Sequence, residues 1–291
     1  MQPKALVTGA NGMLADAFCS ILKKNGYVVC LTDIVQYDSI LYLDIRNLKM
    51  VLDFIEIQKP DIIFHLAAET DVDKCELNPE HAYHTNTRCT ENIAIACKRY
   101  NIPLVYISTG AVFDGEKLGG YTEEDTPNPI SVYGKSKLRG EEAVCSLLTK
   151  FYIIRAGWMI GGYNKDKKFV WKIIQQLNTK KEISVVTDKF GSPTFTKDFA
   201  NGIISIISTG RYGVYHCVNE GICTRLDIAK KIAEYLNNAN IVIKAVTSDY
   251  FSLPAPRGKS EALINHKLFS INMDNMRSWQ EALKEYLEDI R

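Results

Sequence analysis

At 291 residues the chain can form one large domain or two modest ones, and 46% apolar with 24% charged residues is ordinary for a soluble globular protein. A net charge of +1 with no run of like charges provides no field for nucleic acid or an anionic membrane, so any anionic ligand must be met by local groups. No apolar stretch approaches the roughly 18 residues that would span a bilayer, the first residues run directly into a strand-like segment, and the expectation is a cytoplasmic protein.

Lys4 to Thr8 is a short apolar run, followed at once by Gly9-Ala10-Asn11-Gly12-Met13-Leu14-Ala15 and an amphipathic stretch to about Lys24. Strand, glycine turn and helix in that order let backbone N–H groups approach a pyrophosphate closely, with its charge at a helix N-terminus. Tyr27 to Thr32 reads as a second strand ending in Asp33. An acid about 20 residues beyond such glycines binds an adenosine ribose, accepting from its 2′-hydroxyl and repelling a 2′-phosphate, which favours NADH over NADPH. Leu41 to Ile45 is a further apolar segment, whose Asp44-Ile45 either flanks the adenine or, through Asp44, caps a helix starting near Arg46.

Asp61 to Leu66 is the next strand and leads into Ala67-Ala68-Glu69-Thr70, small residues where backbone can run against a cofactor. His65, alone in that strand, reads as a packed residue and not a catalyst. Asn78-Pro79 starts a helix that runs to about Arg99. Leu104 to Ser108 is a strand, Thr109 to Ile130 a long polar loop, and a helix then bears Tyr133 and Lys137; Phe151 to Arg155 is a further strand. Residues four apart share a helix face, so the phenol and the ammonium lie side by side. A unit positive charge about 4 Å away at an effective dielectric of about 20 is worth roughly 4 kcal/mol, or about 3 pK units, with burial opposing it.

Strand and helix thus alternate, with crossovers long enough for parallel pairing, which predicts an α/β, doubly wound parallel sheet of Rossmann type. Ligands bind such sheets at the carboxyl ends of strands, where Gly9, Asp33, Ala67 and Thr109 collect. In the second half, Asp166 to Leu177 and Thr196 to Ser208 read as helical, and Ile183 to Thr187, Gly213 to Val218 and Ile241 to Val246 as extended. Leu226, Ala229, Ile232, Ala233 and Leu236 form a helical stripe. Ser278 to Glu281 is a capping box opening a stripe from Trp279 to Ile290. The expected division is a dinucleotide-binding domain, 1–157 plus about 188–222, and a smaller substrate-binding lobe, about 158–187 plus 223–291. The eight cysteines lack any C-x-x-C or metal-ligand spacing and read as buried reduced thiols.

These segments together resemble the extended short-chain dehydrogenase/reductases, and more closely the dTDP-4-dehydrorhamnose reductase family of sugar-nucleotide enzymes. The likeness rests on Thr8 to Leu14; His65-Leu66-Ala67-Ala68 with Thr70, Val72 and Asp73; Ser108-Thr109 with Val112 to Gly115; Tyr121 through Asn128-Pro129 to Tyr133-Gly134-Lys135-Ser136-Lys137; and Phe190-Gly191-Ser192-Pro193-Thr194. The resemblance implies that Thr109, Tyr133 and Lys137 form a catalytic trio. Gly9, Asn11, Gly12, Met13 and Leu14, with Asp33, Asp44, Ile45, Ala67 and Ala68, would bind NADH or NADPH. Thr70 and Val72 would meet the substrate, a nucleotide-linked sugar. Trp158 would lie near the sugar, the alternative being a core or interface aromatic, and Arg257 or Ser260 near the substrate diphosphate, the alternative being a surface arginine. Members of that family often dimerise, some around a magnesium ion; no residue here is assigned to such an ion.

Three departures stand out. The third glycine of the fingerprint is Ala15, Gly110-Ala111 replaces the family's aspartate and tyrosine, and Arg257-Gly258 replaces its Arg-Pro. The implied reaction is reduction of a 4-keto-6-deoxy sugar, with Tyr133 as general acid, Lys137 lowering its pKa and Thr109 donating to the carbonyl oxygen. A nucleotide-sugar 4-epimerase is the nearest alternative; a 4,6-dehydratase would need an acidic pair that Gly110-Ala111 does not provide. A third reading is a non-catalytic NAD(P)-binding subunit, as in the methionine adenosyltransferase β subunit.

Overall fold

The computed structural model describes residues 2–37, 39–166, 168–237 and 241–290. Its centre is a seven-stranded, wholly parallel sheet of β1 (Lys4–Thr8), β2 (Val28–Asp33), β3 (Leu41–Tyr42), β4 (Ile62–His65), β5 (Leu104–Thr109), β6 (Phe151–Ala156) and β11 (Gly213–His216), in the spatial order β11-β6-β5-β4-β1-β2-β3. The strand order reverses between β1 and β4, and a crevice opens there at the carboxyl ends of the strands. Both faces are covered, which is why β1 and β4 are nearly continuous apolar runs without alternation.

On one face, α1 (Met13–Lys24) packs beside α8 (Thr196–Ser208), joining Phe18, Leu22, Phe64, Phe199 and Ile203 in one core. On the other, α2 (Leu48–Gln58), α5 (Cys89–Tyr100) and α6 (Val132–Leu147) cover Leu6, Ile63, Leu104 and Tyr106. A third core joins α7 (Phe169–Thr179), α9 (Arg225–Tyr235) and α11 (Trp279–Asp289) to β8 (Glu182–Val186), which pairs in parallel with β13 (Val242–Val246). Short strands β7 (Trp158–Ile160) and β10 (Pro193–Phe195) pair with each other, and β9 (Phe190–Gly191) pairs with both β12 (Cys223–Thr224) and β14 (Ser260–Glu261).

The expected helix from Asn78 to Arg99 is broken into α4 (Pro79–Tyr83), a π turn at His84–Arg88, and α5. Single π turns concentrate at functional sites, and this one aims Asn86 inward. A short α3 (Val72–Leu77), capped by Asp71, and a 3-10 turn at Gly110–Val112 were not legible from periodicity, because neither spans enough residues for an apolar stripe to recur. Asn47, not Asp44, caps α2, accepting from Met50 N. Helix α7 begins at Phe169, because the Asp166 carboxylate is held outside it by Lys168 N and the Tyr286 hydroxyl. All eight cysteines are free and seven are buried; Cys145 is the exposed exception. No helix among the described residues is long and apolar enough to cross a membrane.

Two fully buried histidines give the fold a measurable acid sensitivity. His65 Nε2 faces Thr90 Oγ1, whose own proton goes to Asn86 O; the ring therefore donates from Nε2, and Nδ1 accepts from Thr8 Oγ1 at 2.7 Å. His216 Nδ1 donates to Tyr121 O and Ile264 O, and its Nε2 accepts from the Arg155 guanidinium. Burial, followed by the nearby cations Lys137 and Arg155, pulls both rings down to about 3. The unfolded chain binds protons on both rings below about pH 6.5 and the native chain does not, so stability is lost as pH falls from 6.5 towards 3. The expected loss between pH 7 and pH 5 is at most roughly 2 kcal/mol per ring. Urea midpoints at the two pH values check it; equal midpoints would mean that the rings are charged in the native state.

Candidate active site

The crevice at the strand reversal is a cavity of about 340 Å³. One end is the glycine turn. Gly9 has φ +69°, and a Cβ there would lie 2.6 Å from Ala67 N, so only glycine lets β1 and β4 close on each other at the crevice floor. Gly12 is the N-cap of α1 and supplies no side-chain cap, which leaves first-turn N–H groups, among them those of Met13 and Leu14, pointing at the crevice. Gly12, Met13, Leu14, Ala15 and Ala68 all line the cavity. This donor set suits a pyrophosphate.

Asn11 and Asp33 stand behind the turn. Asp33 Oδ2 accepts from Asn11 N and Oδ1 from Val35 N, which fixes the carboxylate beside the glycine loop with lone pairs to spare for a hydroxyl donor. Asp44 is taken up by Arg46 in a two-point ion pair, which holds its carboxyl below the usual range, while Ile45 packs on the core beside α2.

The middle of the cavity is the end of β5 and the start of α6. Ser131 caps α6 through Gly134 N, and a Cβ on Gly134 would collide with Ala111 O, so the helix meets the turn after β5 at contact distance. Thr109, Tyr133 and Lys137 all face the cavity, with Ile107 and Ser108 between them. Lys137 is buried; its Nζ donates to Ile107 O at 2.8 Å and lies 4.1 Å from the centre of the Tyr106 ring, and burial pulls its pKa down to about 7. Burial pushes the Tyr133 phenol up, with a hydrogen bond from the Thr109 hydroxyl acting the other way and the Glu261 carboxylate adding to the rise. Ser108 Oγ is the one buried side-chain polar atom among the described residues with no hydrogen-bond partner. A buried, unsatisfied hydroxyl at a cavity wall is costly and indicates a ligand-facing group.

Asn86, absent from the sequence reading, organises this region. Its side chain accepts from Glu69 N and donates to Glu69 O and Ser136 Oγ, tying the segment after β4 to α6 between Tyr133 and Lys137. Trp158, Lys168, Phe169, Arg225 and Glu261 also line the cavity, as do Thr70, whose hydroxyl accepts from Lys168 Nζ, and Val72. Trp158 Nε1 donates to Glu261 Oε2 at 2.9 Å, and the Arg225 guanidinium lies 3.6 Å from the centre of the Trp158 ring and 4.8 Å from that of Phe169. Arg257 is not brought to the cavity wall; it makes a two-point ion pair with Asp73. Ser260 is buried in β14 behind Glu261. A signal for Arg225 was present in the sequence: Thr224 and Asp227 form a capping box, which puts a cation at the first position of a helix, where the helix dipole disfavours it.

Against known proteins, the family model described as "RmlD substrate binding domain" matches residues 3–291. The spore coat polysaccharide biosynthesis protein SpsK of Bacillus subtilis is 34% identical over 98% of this chain and 97% of its own length. Among solved structures, a dTDP-4-dehydrorhamnose reductase from Clostridium acetobutylicum superposes with a TM-score of 0.93 at 37% identity, covering 99% of each chain. A dTDP-4-dehydrorhamnose reductase from Bacillus anthracis in complex with NADP gives 0.93 at 35% identity, covering 99% of this chain and all of its own.

Proposed function

We infer from the chain's family, for it belongs to the RmlD substrate binding domain family over residues 3–291, that it reduces a nucleotide-linked 4-keto-6-deoxy sugar of the dTDP-4-dehydrorhamnose type. It is an NAD(P)-dependent oxidoreductase of nucleotide-sugar biosynthesis. One observation supports the reading above others: the glycine turn, the unsatisfied Ser108 hydroxyl and the Thr109-Tyr133-Lys137 group share a single cavity.

When bound, the nicotinamide cofactor supplies the hydride. Met13 and Leu14 would hold its pyrophosphate through backbone N–H groups, with Gly9 and Gly12 letting the backbone approach it, and Asp33 would take the ribose, favouring NADH over NADPH. Tyr133 gives its phenolic proton to the keto oxygen as negative charge develops there, and Thr109 donates a hydrogen bond to the same oxygen. Lys137 would bond the nicotinamide ribose, and its positive charge would favour the phenolate that remains. Burial, by raising the pKa of the phenol, keeps the proton in place until the keto oxygen demands it. Thr70 and Val72 face the sugar across from Trp158. The division into a nucleotide domain and a substrate lobe, a homodimer and a cytoplasmic location belong to the same proposal.

The test is a panel of keto-sugar nucleotides with NADH and NADPH. Stoichiometric oxidation of reduced cofactor is the expected result. Product without net oxidation would mean an epimerase, and no turnover together with co-purification of a second protein would mean a regulatory subunit.

A further inference from the structure

A nucleotide-linked sugar brings a diphosphate, and a chain of net charge +1 must meet it locally. Three cations line the cavity, Lys137, Lys168 and Arg225, against one carboxylate, Glu261. Lys137 sits at the reacting centre on Ile107 O, and Lys168 Nζ is engaged by the Thr70 hydroxyl and carbonyl. Arg257, which the family resemblance placed near the diphosphate, does not line the cavity, and its Nη1 and Nη2 groups donate to the Asp73 carboxylate, Nη1 also to Ala255 O. Arg225 differs from all of these. No ion pair within 4 Å involves its guanidinium among the described residues, and its central carbon lies 3.6 Å from the centre of the Trp158 ring and 4.8 Å from that of Phe169. Stacking fixes the plane of a guanidinium and leaves its N–H edge free, the geometry that grips a phosphate at two points.

Position agrees with chemistry. Glu261 lines the cavity together with Tyr133 and Arg225, and its carboxylate accepts from Trp158 Nε1, the indole on which the Arg225 guanidinium rests. With the keto carbon at Tyr133, Glu261 meets hydroxyls of the sugar, and the next group along the cavity, at Arg225, is the diphosphate on the anomeric carbon. Burial lowers the Arg225 pKa to about 10, a cost to the charged form that a polyanion offsets.

We propose that Arg225, and not Arg257, is the cation that grips the diphosphate of the sugar nucleotide, presented from an aromatic clamp of Trp158 and Phe169. The inference rests on the sugar-nucleotide reading of the cavity, and its test separates the two. Binding of dTDP and of UDP, as product-like probes, is measured by calorimetry on the full chain and on Arg225→Met, Arg225→Lys and Arg257→Gln. Arg225→Met is expected to weaken the tighter-binding diphosphate by roughly 10- to 100-fold, with Arg225→Lys in between and NADH affinity unchanged. Arg257→Gln is expected to bind like the parent. With a turned-over substrate, KM rises by the same factor in Arg225→Met and kcat changes less. Parental diphosphate affinity in Arg225→Met, a loss in Arg257→Gln as large as in Arg225→Met, or no diphosphate binding by the parent would overturn the assignment. Absence of turnover on any keto sugar with the Arg225 effect on dTDP intact would leave the assignment standing and remove the reductase reading instead.

Discussion

Tyr133→Phe is expected to lower kcat by roughly 10³- to 10⁴-fold, the scale of a lost general acid in a step that otherwise leaves an alkoxide in a dry cavity. The substitution removes one oxygen and leaves the ring. That oxygen's partner in the structure is the Thr109 hydroxyl, which keeps its bond with Ala111 N, so the fold loses little. NADH affinity is expected to persist, because the glycine turn and the N-terminus of α1 are untouched. Stopped-flow measurement of hydride transfer, with cofactor affinity from fluorescence, tests both parts. Substantial turnover in the variant would move the proton donor elsewhere, and Thr109 would be the next group to examine. A variant that lost cofactor affinity in step with kcat would show that the phenol serves binding rather than proton transfer.

That Thr109, Tyr133 and Lys137 line one cavity was legible because its signals are short-range: four residues of helix bring Tyr133 and Lys137 to one face, and β5 ends at Thr109. The glycine turn was legible for the same reason. What the sequence hid are partners brought in by distant segments. Lys137 lines the cavity with Tyr133, but the carbonyl that holds its ammonium belongs to Ile107, 30 residues away. Asn86 acts from a π turn, a local distortion with no apolar periodicity to betray it. Trp158, left between sugar contact and core aromatic, lines the cavity because β14 brings Glu261 to its indole nitrogen across 103 residues. Arg257 was placed by analogy with a motif that this chain keeps only in part; Gly258 follows it, and a Cβ there would lie 2.5 Å from the Gly115 Cα, so two loop backbones touch at that point. The strand that closes the sheet, β11, was legible as extended but not as a neighbour of β6, since pairing partners carry no local signature.

The largest effect on stability is expected from Arg155→Met. Arg155 in β6 and Glu141 in α6 are each 4% exposed and joined at two points, Nε to Oε1 at 2.9 Å and Nη2 to Oε2 at 2.6 Å. The same guanidinium donates to His216 on β11 and lies 5.1 Å from the centre of the Phe113 ring. Removing it strands a carboxylate with no water to receive it, a loss of about 3–5 kcal/mol against a total that for domains is roughly 5–15. Burying the pair already carries a desolvation cost, so replacing both members, Arg155→Met with Glu141→Leu, is expected to cost less than the single change. Urea titrations of the parent, both singles and the double variant measure the coupling. A single-variant loss below about 1 kcal/mol would mean that water reaches Glu141. The pair also bears on chemistry, because Glu141 lies one helical turn beyond Lys137 and anchors α6 to the sheet. If the double variant folds with its stability restored but kcat stays low while cofactor affinity is kept, the ion pair sets where α6 holds Tyr133, and its cost in stability is the cost of that placement.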